Sequence, residues 1–144
     1  MAEEVSVTVV PYEYVDDLWP QASILLKRGV EESRGRYDLE SLYSEIKMGD
    51  QHLWVMFEGD DDMLAAFATQ FCQYPLKLQL SVTFCGSEDS VGSGDKWRHA
   101  IEAVMEFARI HGCSGIEIVG RKGWFKLFER LGFEQSYVTI EREV

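Results

Sequence analysis

The sequence predicts one α/β (α+β) domain over residues 1–144, a mostly antiparallel mixed sheet with one parallel β-α-β crossover and helices on its faces. Three stretches carry that prediction. Residues 76–86, LKLQLSVTFCG, alternate strictly, with Leu76, Leu78, Leu80, Val82 and Phe84 on one face of a strand. Trp97, Ala100, Ile101, Val104, Met105 and Ala108 then recur at helical spacing, a full apolar stripe on a helix over 96–111. A short apolar run, CSGIEIVG (113–120), reads as a buried strand. A strand, a helix and a strand in one sheet make a right-handed crossover, so strands 76–86 and 113–120 are expected to run parallel.

The other elements follow in order. VSVTVV (5–10) is β-branched throughout and reads as a strand. Residues 15–33 read as a helix from about Pro20, whose missing N–H is not needed in a first turn. In DLESLYSEIKMG (38–49), Asp38 caps a helix, Leu39, Leu42, Tyr43 and Ile46 form its stripe, and Gly49 stops it. QHLWVMFE (51–58) and MLAAFATQFCQY (63–74) flank the turn GDDD and form a hairpin. After the polar loop GSEDSVGSGD (86–95), the helix and the strand already described, Trp124, Leu127, Phe128 and Leu131 mark one more helix. EQSYVTIEREV (134–144) reads as a last strand, for an order β-α-α-β-β-β-α-β-α-β.

Composition excludes several classes of function. The net charge is −11, and a surface so acidic repels a phosphate backbone. No apolar run reaches the roughly 18 residues a membrane span needs, and MAEEVSVTVV lacks the basic start of a signal peptide. Cytoplasmic residence is the expectation. Cys72, Cys85 and Cys113 are odd in number and form no CxxC or Cys/His cluster, so reduced core cysteines are expected and no metal site. His52, His99 and His111 have no nucleophile at motif spacing. Arg121, Lys122, Lys126 and Arg130 form a basic strip, which is either a solvated helix face or an anion contact.

The element order resembles the GNAT N-acetyltransferase superfamily, and LFERLGF (127–133) is similar to its terminal motif, commonly written FYEKLGF. The likeness in topology covers nearly the whole chain. HLWVMFE, GCSGIEIVGRKGW and the following LGF also resemble small GNAT-like proteins encoded in tailed-phage and prophage genomes. The resemblance implies acetyl-CoA lodged between strands 76–86 and 113–120, with Phe84, Gly92, Gly94, Lys96, Arg98 and Arg121 as its contacts. It also implies backbone amides at a helix start holding the pyrophosphate. DSVGSG fits that glycine pattern through Gly92 and Gly94, but Asp89 stands where the pattern has Gln or Arg, and a carboxylate repels a pyrophosphate. Otherwise the stretch is a flexible loop before a helix.

The family's usual tyrosine acid falls on Phe128, which has no proton to give. Arg121 and Trp124 stand where Asn and a small residue are common, and Trp124 is expected to pack and close the pantetheine route. Glu117 is the candidate general base, although alternation opposite Ile116 and Ile118 also suits a solvated position. Tyr137 is the candidate replacement acid, or an edge-strand packing residue. Only eleven residues follow LGF, so one final strand is expected where the family has two, leaving an edge for a second copy to cover as a homodimer. Two functions stand at this point. One is acyl transfer to a small-molecule or protein amine. The other is a catalytically inactive binding or virion-associated phage protein, in the host cytoplasm or the virion, whose partner is a protein.

Overall fold

A computed structural model describes residues 4–88, 95–120 and 123–144. Its sheet has the order β1 (Val5–Val9), β2 (His52–Glu58), β3 (Asp62–Gln73), β4 (Leu78–Ser87) and β5 (Gly115–Ile118). The first four strands are antiparallel and β4 pairs with β5 in parallel, as the crossover pattern predicts. Helices α1 (Val15–Glu31) and α2 (Leu39–Met48) cover one face of the sheet. Helices α3 (Asp95–Ile110) and α4 (Gly123–Arg130) cover the other.

Alternation sorts the strand residues between two cores. Trp54, Met56, Phe67, Leu80 and Val82 pack with Trp97, Ala100 and Val104 under α3. Leu53, Val55, Ala66 and Ala68 pack with Leu26, Val30, Leu42 and Ile46 under α1 and α2. The α3 stripe is buried as its spacing requires, except for Met105, which is 47% exposed. α2 is bounded as predicted: Asp38 accepts from the Ser41 amide in a reciprocal capping box, and Gly49 ends the helix at a φ of 85°.

α1 starts five residues before Pro20. A 3-10 turn, Tyr12–Tyr14, leads into it, and Pro20 lies within the helix. The extra turn is held from outside: the Asp16 carboxylate accepts from the Tyr43 hydroxyl and pairs with Lys47 of α2 at 3.1 Å. These tertiary bonds tie the turn that precedes the proline to α2.

Two corrections concern β4 and the chain end. Ala68 lies opposite Phe84 and Thr69 opposite Val82, so Thr83 is an extra residue, a β-bulge. The bulge reverses the alternation. Leu80 and Val82 face α3, while Phe84 turns to the α1/α2 face, where its ring meets Tyr37 edge-on at 5.1 Å. Leu76, in the turn before β4, is 97% exposed. Residues 134–144 form no strand and are exposed throughout. Their alternating pattern has no strand partner among the described residues, where β5 is the last strand of the sheet. A groove of about 680 Å³ opens beside β5, between α3 and residues 131–134.

His52 is half-buried between Phe71 and Phe107, and its Nδ1 lies 3.0 Å from the Thr69 hydroxyl, which also accepts from the Trp54 indole. Burial, and then the neighbouring His111, depress the His52 pKa below the ordinary 6.5. A depressed histidine stabilises the fold fully above about 6.5, and that contribution is lost as pH falls towards the lower native value. Urea midpoints should therefore drop between pH 7 and pH 5, and His52→Gln should flatten that dependence. An equal slope in the variant would contradict this account.

Candidate active site

β4 and β5 stay paired only as far as Val82 and Ile118, with one further bond from the Val119 amide to the Val82 carbonyl. β4 then runs on to Ser87, past its last described pairing with β5. The bulge at Thr83 lies just past the last pair. A strand that outruns its partner offers backbone amides and carbonyls that can bond an extended ligand.

Polar side chains gather just before the split. Alternation turns Ile116 and Ile118 towards α3, so Glu117 points to the opposite face. It is only partly exposed there. The Tyr74 hydroxyl, from the end of β3, donates to both carboxylate oxygens of Glu117, at 2.9 and 3.0 Å. That bond, with some burial, pushes the Tyr74 pKa up to about 12, so the hydroxyl keeps its proton at neutral pH. Cys72 lies beside the pair; burial and then the Glu117 charge push its thiol up, which keeps it protonated. Ser81, opposite Glu117 on β4, is buried at 3%. Glu117 thus sits in a built polar cluster and not on a bare solvent face.

The other sequence candidates fall in different places. Lys96 pairs with Glu58 of β2 at 3.0 Å, so its charge already has a counter-ion. Arg98 is exposed on α3. Gly92, Gly94 and Arg121, together with Asp89 and Lys122, lie outside the described residues. Phe84 borders the split, with its side chain turned to the α1/α2 face by the bulge. Tyr137 is 79% exposed, near enough to Tyr74 to raise its pKa. Tyr74 itself escaped sequence reading. It follows a strand of ordinary alternation, and only the sheet order brings it to Glu117, 43 residues on.

α4 carries the packing half of its motif. Phe128 is 4% exposed, and Trp124 is half-buried, stacked on Phe128 at 5.7 Å and edge-on to Trp97 at 5.3 Å. Trp124 is a packing residue, as its place on the stripe predicts. The three cysteines are free thiols, and among the described residues no histidine, cysteine and carboxylate group could hold a metal ion. No described helix is long and apolar enough to cross a membrane.

Among the described residues this α+β architecture is a five-stranded mixed sheet with four α-helices, and it is that of GNAT-like acetyltransferase structures. One similar structure is an aminoglycoside acetyltransferase from an uncultured soil metagenomic sample, in complex with sisomicin: TM-score 0.73, 13% identity, covering 97% of this chain and 96% of that one. Another is glucosamine-6-phosphate N-acetyltransferase from Arabidopsis thaliana: TM-score 0.68, 10% identity, 98% and 99% coverage. A third is a transcriptional regulator from Bacillus halodurans C-125: TM-score 0.70, 15% identity, 98% and 100% coverage. At these identities the likeness is one of fold. No protein-family model and no curated protein matches the sequence.

Proposed function

We propose that the chain transfers an acetyl group from acetyl-CoA to an amine at the β4/β5 split, with Glu117 and Tyr74 handling the proton. The observation that carries this reading is the described parallel pairing, which ends at Val82 and Ile118 while β4 runs on to Ser87. The chemistry of that stretch fits the amide-bearing pantetheine arm, which the backbone of residues 84–87 would hold. A bound acyl thioester supplies the acetyl group and leaves a thiolate that needs a proton. Glu117 takes the proton from the attacking amine at its carboxylate. Tyr74 gives up its hydroxyl proton and recovers one from Glu117 across their hydrogen bond, so the net transfer is from nitrogen to sulfur. Phe128 takes no part. The likeness to an aminoglycoside acetyltransferase and a glucosamine-6-phosphate N-acetyltransferase supports an amine as acceptor.

A second reading, a fold kept for binding without the cofactor, draws support from buried Phe128 and from the Lys96–Glu58 pair. Its partner is then a protein, of phage or host. Thermal denaturation with acetyl-CoA separates the two. A ligand specific to the folded state, present at 100 times its Kd, stabilises by about 2.7 kcal/mol. The melting temperature should rise by several degrees under the proposed function, and an unmoved melting temperature would leave only the binding protein.

A further inference from the structure

The loop between α1 and α2 holds a charged contact that acyl transfer does not use. Arg34 and Arg36 converge on one carboxylate of the chain's own C-terminal segment, Glu141. Arg36 grips it as a fork, Nη2 to Oε2 at 3.0 Å and Nη1 to Oε1 at 3.4 Å, while Arg34 Nε donates to Oε1. The two arginines hold the Glu141 carboxyl below the usual carboxylate range, Arg36 contributing more. Bidentate guanidinium geometry is the form in which proteins recognise carboxylates and phosphates.

The loop is built to present them. Arg34 is the one described residue other than glycine with a positive φ, 59°, and Gly35 follows at 80°. The Ser33 hydroxyl accepts from the Tyr37 amide at 3.1 Å and donates to the Tyr37 carbonyl at 3.2 Å, closing the excursion that carries both arginines. Tyr37 then packs edge-on against Phe84, the first residue of β4 beyond the bulge. Phe84 and Glu117 share the α1/α2 face, and Glu117 lies level with Ser81. Only Val82 and the bulge residue Thr83 lie between Ser81 and Phe84 on β4. The C-terminal segment follows the same path, since Tyr137 influences Tyr74 and Glu141 reaches the arginines four residues later.

We propose that Arg34 and Arg36 form the acceptor's oxyanion subsite, that Glu141 occupies it in the free protein, and that the acceptor is therefore an amine bearing a carboxylate or phosphate. The substrate class rests on the acyl-transfer reading; the subsite does not. The strap is displaceable, because the side chains of Arg34, Arg36 and Glu141 are 71%, 51% and 38% exposed, and exposed ion pairs are weak.

Calorimetry without acyl-CoA tests the subsite on the full chain, using ε-aminocaproate, aminohexyl phosphate and neutral hexylamine as probes. Glu141→Gln frees the fork and should bind one of the two anionic probes about tenfold more tightly than the wild type does, with the tighter arm identifying the oxyanion. Adding Arg34→Gln and Arg36→Gln should abolish that binding. Wild-type affinity in Glu141→Gln, binding that survives loss of both arginines, or hexylamine binding as tightly as the anions would each overturn the proposal. If the oxyanion binds as expected while acetyl-CoA leaves the melting temperature unmoved, the acyl-transfer reading fails and the subsite stands.

Discussion

Gly86→Ala is expected to destabilise the protein by at least about 3 kcal/mol, which is a large share of the stability of a small domain. A Cβ at this position would lie 1.8 Å from the Leu25 carbonyl oxygen and 2.5 Å from its carbon. Those atoms belong to the backbone of α1 and cannot swing aside as a flexible side-chain end would. α1 must move off β4, and Leu26, fully buried beneath it, moves with it. For a chain of this size the melting temperature should fall by roughly 10 °C or more. Gly123→Ala is the control, since nothing lies within 4 Å of the added carbon and the backbone there is not left-handed. It should be neutral or slightly stabilising. Equal effects at the two positions would show that α1 does not press on β4 as described.

The second large effect follows from the proposed acyl transfer. Glu117→Gln is expected to lower kcat by about 100-fold to 10,000-fold, the range that general base catalysis contributes. The substitution keeps the shape and still accepts a bond from Tyr74, so folding and acetyl-CoA binding should be preserved while proton uptake is lost. Tyr74→Phe removes the other half of the relay and should also reduce kcat, with KM for the acyl donor little changed. A Glu117→Gln protein with wild-type turnover would remove Glu117 from the chemistry. Loss of turnover together with loss of acetyl-CoA binding would point instead to a structural role.

Most of the architecture was legible because it rests on short-range periodicity. The strand and helix periods in 76–86 and 97–108 announced the parallel crossover. Asp38 and Gly49 announced the ends of α2, because caps are local chemistry. Pro20 misled for the complementary reason. Its local preference is for a first turn, but Tyr43 and Lys47, more than twenty residues away in sequence, hold Asp16 in the turn before it. The last strand misled in the same way. EQSYVTIEREV has a strand's alternation, yet pairing needs a partner edge, and Glu141 is held by two arginines over a hundred residues earlier.

The sequence by itself determined the fold class and the apolar stripes of α3 and α4. Each of these follows from residue type and spacing along a single element. It also nominated Glu117, without saying what that carboxylate would face. Only the tertiary structure decided the rest. The extra residue at Thr83 turned Phe84 to the other face, sheet order brought Tyr74 to Glu117, and the α1–α2 loop placed Arg34 and Arg36 on the carboxylate of Glu141. The reason is physical. Periodicity reports which face of an element is apolar, whereas a bulge, a cross-strand hydrogen bond and an ion pair depend on which elements meet and in what register, and that is settled only when the whole chain packs.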